Sequence, residues 1–472
     1  MLQHLYGLAI FTSAFLLFFV QPLLAKHLLP LFGGSAFVWI ACVLFFQAGL
    51  MLGYAYAYFL ARYFCARYQA WIHIALLVFS FYFIPISSET NILINHGSPP
   101  VIVMLILSST IFLPFMVLSA SSPLLQHWYC TLRHTTFPYY FYAISNTGSL
   151  LGLLGYPFLL EPLFGIKTQI SIWSAMYGLY VILCLISLSK LILLKNTTPA
   201  KATINVTPFD AIRWLILTFL SSALLLAITQ FLSQNVFNFP LMWIVPLALY
   251  LITYIITFSS AKPYDRSFWL SAFIIWLSIA LWIIFQQNLN GIPAVIVFLA
   301  LLFSACMICH GELIRLKPHQ QDLTLFYLFI ALGGMLGGLF TNAVLLLLLT
   351  QWWDFYVPMI IITLLVVMLG FDQLQKAKHL WNFGVASMSV MVFLALLCAI
   401  FYQIYFPKQH LIAAERSLYG FLRVFDDRYP DPTLNDRRLM NGTVIHGLEY
   451  QDPAKKLWPT LYYGWNSGAG IA

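Results

Sequence analysis

Only 8% of the 472 residues are charged, and a few of these charges fall inside long apolar runs. An ionisable group in such a run is costly and marks a route for solute, ion or proton. Lys26 stands near the end of the first run, five positions after Gln21. Its ammonium can bind an anionic group, balance a carboxylate, or snorkel to the interface. Glu161, between Leu160 and Pro162 near the end of the fifth run, can hold a solute cation or a proton, or rest at the interface. His310 and Glu312 close the tenth run, just before Arg315. They read as a gate or proton relay, or as a Glu–Arg pair at the rim. Ser145 and Asn146 lie deep in the fifth run, where they either hydrogen-bond across helices or line a path. These seven residues form the candidate pathway. Cys306 and Cys309 have ligand-like spacing, but without a second pair they read as packed thiols. No catalytic set, metal set or cofactor loop is expected.

The elements that must position these residues are membrane helices. The chain is 61% hydrophobic with mean hydropathy +0.87, whereas soluble domains carry about 25% charged residues. The apolar runs are about 20 residues long without alternation, so helices are expected rather than barrel strands. About thirteen spans are expected, with cores at 5–25, 37–60, 70–86, 100–119, 139–160, 168–189, 214–232, 240–258, 268–286, 292–310, 324–349, 356–371 and 380–404. Pro22, Pro114, Pro157 and Pro246 imply kinks. The lipid bilayer is the implied partner. The net charge of +8 sits in short loops, so nucleic acid is not expected.

Loops after even-numbered spans hold thirteen Lys and Arg; those after odd-numbered spans, the C-terminal tail excluded, hold only Lys26 and Lys167. This bias places the N-terminus in the cytoplasm and, with thirteen spans, the C-terminal tail outside it. Residues 1–195 read as one helical half, 196–213 as a cytoplasmic linker, 214–406 as a second half and 407–472 as a β-rich tail. The sequons at Asn196 and Asn205 would be inert on the cytoplasmic side. In the tail, Ser417–Val424 reads as a strand, and Arg438–Ile445 as strand, Asn-Gly turn and strand.

The halves echo one another. Phe141-Tyr142, Gly148 and Gly152 recur 185 positions later as Phe326-Tyr327, Gly333 and Gly337. Leu118-Ser119-Ala120 maps onto Phe303-Ser304-Ala305 at the same offset. The four glycines are expected to let another helix pack closely. A parallel duplication of helical halves is one layout of secondary transporters. Only the first copy keeps a carboxylate, since Glu161 falls opposite Leu346 and Pro157 opposite Asn342.

Several stretches together resemble a family. They include Phe19-Val20-Gln21-Pro22 through Lys26 and Gly33-Gly34, then Phe45-Phe46-Gln47-Ala48-Gly49. Ser122-Pro123 with Gln126-His127-Trp128 follows, and Tyr142-Ala143-Ile144-Ser145-Asn146-Thr147-Gly148-Ser149. Later come Pro240-Leu241-Met242-Trp243, Cys309-His310-Gly311-Glu312-Leu313 and Gly333-Gly334-Met335-Leu336-Gly337-Gly338. The chain is similar to bacterial membrane proteins described as fused major-facilitator-like and spermidine synthase-like proteins. The resemblance implies a major-facilitator-like helical part in the bacterial inner membrane. It also implies a transporter-like function, with a polyamine or other small cation as solute. In that family a β-rich segment precedes a Rossmann-like domain resembling aminopropyltransferases and methyltransferases. Tyr419-Gly420, Gly442-Thr443, His446-Gly447 and Tyr462-Tyr463 match the β-rich segment. The nucleotide-binding strand and its glycine turn would lie beyond Ala472; Gly468-Ala469-Gly470 has no helix after it. The resemblance therefore leans away from an enzyme. Its alternative is a membrane-anchored aminopropyl- or methyl-transferase completed by a separately encoded spermidine synthase-like domain docking on 407–472.

Overall fold

The computed structural model describes residues 2–32, 36–86, 98–133, 140–193, 206–235, 243–259, 264–286, 291–318, 322–345, 353–376, 380–405, 411–417, 420–441 and 444–468. The sequons at Asn196 and Asn205, the Gly33-Gly34 and Pro240–Met242 motif residues, Leu346, Tyr419, Gly442 and Gly470 lie outside these. Among the described residues thirteen long helices fall at the thirteen expected places: α1 Leu2–Phe32, α2 Ala36–Tyr63, α3 Ala66–Ser80, α4 Pro99–Arg133, α5 Tyr140–Gly155, α6 Ile166–Ile192, α7 Pro208–Asn235, α8 Ile244–Ser259, α9 Arg266–Phe285, α10 Ile292–Arg315, α11 Leu323–Leu339, α12 Trp353–Lys376 and α13 Leu380–Tyr405. Eleven are long and apolar enough to cross a membrane; α3 and α8 are shorter. Large apolar side chains such as Phe79, Phe158, Trp282 and Met391 are exposed, as lipid requires and water penalises.

α7 begins at Pro208, six residues before the expected 214. Thr207 explains it: its Oγ1 accepts from the Asp210 backbone N–H at 3.1 Å and donates to the Asp210 carboxylate at 2.7 Å. This is an N-cap followed by proline at the first helical position, where no N–H is needed. Pro246 similarly sits in the first turn of α8 rather than kinking it. Pro157 does distort its helix. Without its N–H the α-ladder cannot continue, and Tyr156–Leu160 forms a π turn that passes directly into Glu161–Leu163. The second copy also widens into a π turn, Phe340–Val344, without a proline.

The described residues fall into two compact units. The first comprises Met1–Leu226, Trp243–Trp269 and Leu302–Phe340. Within it α1 packs on α4, α5 and α6, α2 on α4 and α11, and α5 on α8. Buried polar groups tie these helices together. Trp173 Nε1 donates to Leu16 O at 3.0 Å, and Tyr6 OH to Ser187 O at 3.2 Å. Ser121 and Tyr180 share a 2.5 Å hydrogen bond.

The glycine pairs perform the same task in both copies. A Cβ on Gly148 would stand 2.6 Å from Phe11 O, and one on Gly152 2.4 Å from Phe15 O, both on α1. A Cβ on Gly333 would stand 2.7 Å from Leu215 O, and one on Gly337 2.4 Å from Phe219 O, both on α7. Backbone lies against backbone, so no side chain fits. The duplication read from the sequence is thus also a duplication of packing.

The second unit comprises Ala227–Met242, Leu270–Leu301 and Thr341–Ala472. Phe231, Phe298 and Phe355 form an aromatic trio, with centroids 4.8, 4.6 and 5.9 Å apart. α12 packs on α13. The tail is a four-stranded antiparallel meander in the order β1 Leu411–Ser417, β2 Gly420–Asp427, β3 Asp436–Asn441, β4 Val444–Tyr450. The single strand expected over Ser417–Val424 is instead a hairpin: Ser417 pairs with Gly420, ending β1 and starting β2. The expected β3–β4 hairpin is present, with Asn441 paired to Val444. Phe421 and Phe425 are buried on one face of β2, with the Arg423 guanidinium 5.2 and 5.4 Å from their ring centres. The edge of β4 is covered by the segment that follows: Thr460 Oγ1 donates to Leu448 O and Tyr462 OH to His446 O.

Candidate functional site

Where the two copies meet, their equivalent tyrosines touch. Tyr142 of α5 and Tyr327 of α11 stack with ring centroids 5.3 Å apart and planes 9° apart. The two rings hold the same position in the two copies of the motif. Around it lie Tyr54 of α2, 6.2 Å from Tyr327, and Tyr254 and Phe258 of α8, 5.8 and 4.3 Å from Tyr142. Tyr327 OH donates to Gln126 Oε1 of α4 at 3.2 Å, and Gln126 Nε2 donates to Ser122 Oγ at 2.8 Å. Gln126 is fully buried.

His310 of α10 joins this cluster. Its ring stacks on Tyr254 at 3.7 Å and meets Tyr250 edge-on at 5.0 Å. Nδ1 lies 2.9 Å from Thr253 Oγ1. Nε2 is buried with no hydrogen-bond partner among the described residues.

Glu312, two positions along α10, is held differently. Arg266 of α9 binds it with both arms, Nε to Oε1 at 2.7 Å and Nη2 to Oε2 at 2.5 Å. Arg315 adds a 3.3 Å contact. The Glu312 and Arg266 side chains are only 11% and 13% exposed, so this is a nearly desolvated, bidentate pair. Tyr264 covers it, with its ring against Gly311 and 5.7 Å from the Arg315 guanidinium. Burial, and then the Glu312 carboxylate, push the Tyr264 phenol well above its ordinary value. The Glu312–Arg315 pairing expected from spacing exists, but Arg266 is the closer and better-buried partner.

Lys26 and Glu161 meet at 2.6 Å, joining α1 to the end of α5 just past the π turn. Both side chains are partly exposed. The second copy has a neutral counterpart. Counting from the glycine contacts, α1 maps onto α7 by 204 positions, which places Gln230 opposite Lys26. Gln230 Nε2 donates to Asn342 Oδ1 in the second π turn. The first copy therefore closes with a charged pair and the second with an amide pair.

The other expected residues stay local. Gln21 Nε2 donates to Leu17 O of its own helix at 3.3 Å. Asn146 Nδ2 turns back on Tyr142 O at 2.9 Å, and Ser145 O accepts from Ser149 Oγ at 3.1 Å. The tyrosines, Gln126 and Thr253 were not singled out as site residues from the sequence. The signal for two of them was present, since Tyr142 and Tyr327 occupy the same place in the two copies.

No family model matches the chain, and no curated protein matches it. Among solved structures it is similar to the human organic anion transporter MFSD10 (TETRAN), with TM-score 0.49 and 12% identity, covering 84% of this chain and 97% of that one. A bacterial homologue of the iron transporter ferroportin, in an outward-facing state, gives 0.49 and 13%, covering 85% and 99%. The major facilitator superfamily proton:xylose symporter XylE gives 0.46 and 13%, covering 86% and 96%.

Proposed function

We propose that the chain is a multi-pass membrane transporter whose solute is a small cation such as a polyamine. The observation that carries this reading is the Tyr142–Tyr327 stack inside a buried polar cluster. A site lined by equivalent residues of both repeats suits alternating access about a fixed centre. Tyrosine faces attract cations, and the resemblance to spermidine synthase-fusion proteins adds support for an amine. Glu161 and Glu312 act in this reading as ion-pair partners that a moving helix can exchange. The loop charges support an inner-membrane protein with its N-terminus in the cytoplasm and its tail in the periplasm.

Uptake into proteoliposomes with a panel of amines tests the proposal, comparing wild type with Glu161→Gln, Glu312→Gln and Tyr142→Ala. Flux of at least one amine, reduced in these variants, is expected. No flux for any amine sinks the polyamine version. A reporter fused at Ala472 tests the sidedness.

A second reading draws on the four-stranded meander of the tail. It makes the chain a membrane anchor whose residues 407–472 dock a separately encoded aminopropyl- or methyl-transferase domain. Failure of the purified protein to bind any S-adenosyl compound, with no neighbouring reading frame for such a domain, removes this reading.

A further inference from the structure

Trp39 and Trp243 touch, with ring centroids 6.0 Å apart. They lie 204 positions apart, the offset that maps α1 onto α7. The two tryptophans therefore hold one position in the two copies, as Tyr142 and Tyr327 do. The same offset carries Tyr54 of α2 onto Phe258 of α8. Tyr54 meets Tyr327 at 6.2 Å, and its equivalent Phe258 meets Tyr142 at 4.3 Å. The contacts are reciprocal, as in an interface that uses the same patch on both sides. Each copy thus meets the other through a tryptophan and, fifteen positions on, a second aromatic ring. Fifteen helical residues rise about 22 Å, most of the ~30 Å hydrocarbon layer.

All of these residues belong to the first compact unit, and the two levels stand toward opposite ends of it. Trp39 is in the first turn of α2, and Trp243 immediately precedes α8. Phe258 is in the last turn of α8, and Tyr142 and Tyr327 are near the starts of α5 and α11. α11 runs against α2: Tyr54 meets Tyr327, while Gln47, seven positions earlier, lies against Gly338, eleven positions later. Midway between the levels, Gln47 Nε2 donates to Ser222 Oγ of α7 at 3.4 Å, and Ser222 Oγ donates to Gly334 O of α11 at 2.8 Å. The copies are in contact at both levels and between them.

Resting on the transporter reading above, in which solute passes between the copies, we infer that Trp39 with Trp243 and Tyr142 with Tyr327 are closures at opposite ends of that route, both shut in this conformation. The tyrosine faces that attract a cation in that reading also bar its exit on one side. Opening either end requires its own rings to part and leaves the other pair in place.

The experiment places a reporter thiol midway, as Ser222→Cys, in the full chain with its seven native cysteines replaced. Ser222 is buried. A membrane-impermeant maleimide is applied to right-side-out and to inverted membrane vesicles. With both aromatic pairs intact, the reporter is expected to react slowly from either face. Adding Trp39→Ala with Trp243→Ala is expected to raise the rate about tenfold from one face only, the scale of one lost ring pair. Adding Tyr142→Ala with Tyr327→Ala is expected to raise it from the other face only.

Fast labelling with both pairs intact, unchanged rates in the alanine variants, or acceleration from the same face by both pairs overturns the inference. Should the alanine pairs not fold, the single variants Trp39→Leu and Tyr142→Leu carry the same two opposite predictions. The labelling needs no solute, so the two readings fail separately. Solute flux with unsided labelling overturns the closures alone. Sided labelling without flux of any solute upholds the closures and overturns the transporter reading.

Discussion

Tyr142 and Tyr327, 185 positions apart in the chain, stack face to face at 5.3 Å with planes 9° apart. They hold the same position in the two copies of one sequence motif. Aromatic pairs of this kind are worth about 0.5–1.5 kcal/mol beyond their area. In a cycle of Tyr142→Leu, Tyr327→Leu and the double variant, the coupling energy of the pair is expected in that range. Thermal or denaturant unfolding in detergent measures it. Additive losses would mean the two rings touch without interacting.

The glycine contacts make a sharper forecast. Gly152→Ala and Gly337→Ala each drive a methyl into a backbone carbonyl 2.4 Å away. Overpacking of this kind costs about 1–3 kcal/mol. Gly155 and Gly334 have nothing within 4 Å of the same position, so Gly155→Ala and Gly334→Ala are expected to be neutral or slightly stabilising through helix propensity. Melting temperatures of the four variants separate the two pairs.

At Glu312 the partners are unequal. Removing Arg266 leaves a nearly buried carboxylate, and breaking such a pair costs about 3–5 kcal/mol. Arg315 is 46% exposed, and an exposed pair is worth about 0–1 kcal/mol. Arg266→Gln is therefore expected to destabilise far more than Arg315→Gln, as read by unfolding in detergent. Equal losses would show that the geometry misjudges which arginine holds the carboxylate.

The tail should respond to acid. Asp426 is held below the ordinary carboxylate range, first by its hydrogen bond to Arg437, which lies at 2.7 Å. Asp431 is lowered by the Thr433 backbone N–H. A carboxyl whose folded pKa lies below its unfolded one contributes stability above the unfolded value and loses it as pH falls through the folded value. Amide exchange in β2 and β3 should therefore quicken as pH drops below the usual carboxylate range. Asp426→Asn should lessen that dependence; an unchanged acid profile would locate the sensitive group elsewhere.

The closing pairs of the two copies also invite exchange. Lys26–Glu161 is charged and partly exposed, whereas Gln230–Asn342 is neutral. Replacing Lys26 by Gln together with Glu161 by Asn is expected to change stability by about 1 kcal/mol or less. A large loss would assign the charged pair a structural weight that its exposure does not suggest.

The amino-acid sequence alone determined the solvent, the helices and the duplication. Lipid offers the backbone no hydrogen bonds, so long apolar runs must be helices, and their positions can be read directly. The glycines at 148, 152, 333 and 337 were legible because only a missing side chain lets two backbones touch. What the sequence could not express is which helix face meets which. In a chain this apolar every face of a span resembles every other, and hydrophobic periodicity carries little information. Spacing suggested Arg315 for Glu312, since three residues along a helix are neighbours. The stronger partner, Arg266, comes from the preceding helix. Tertiary packing likewise brought Tyr54, Gln126, Tyr142, Tyr254 and Tyr327 together, and set Thr253 beside His310. Those contacts depend on the angles and heights at which whole helices cross, which only the close glycine seams and buried polar bonds decide.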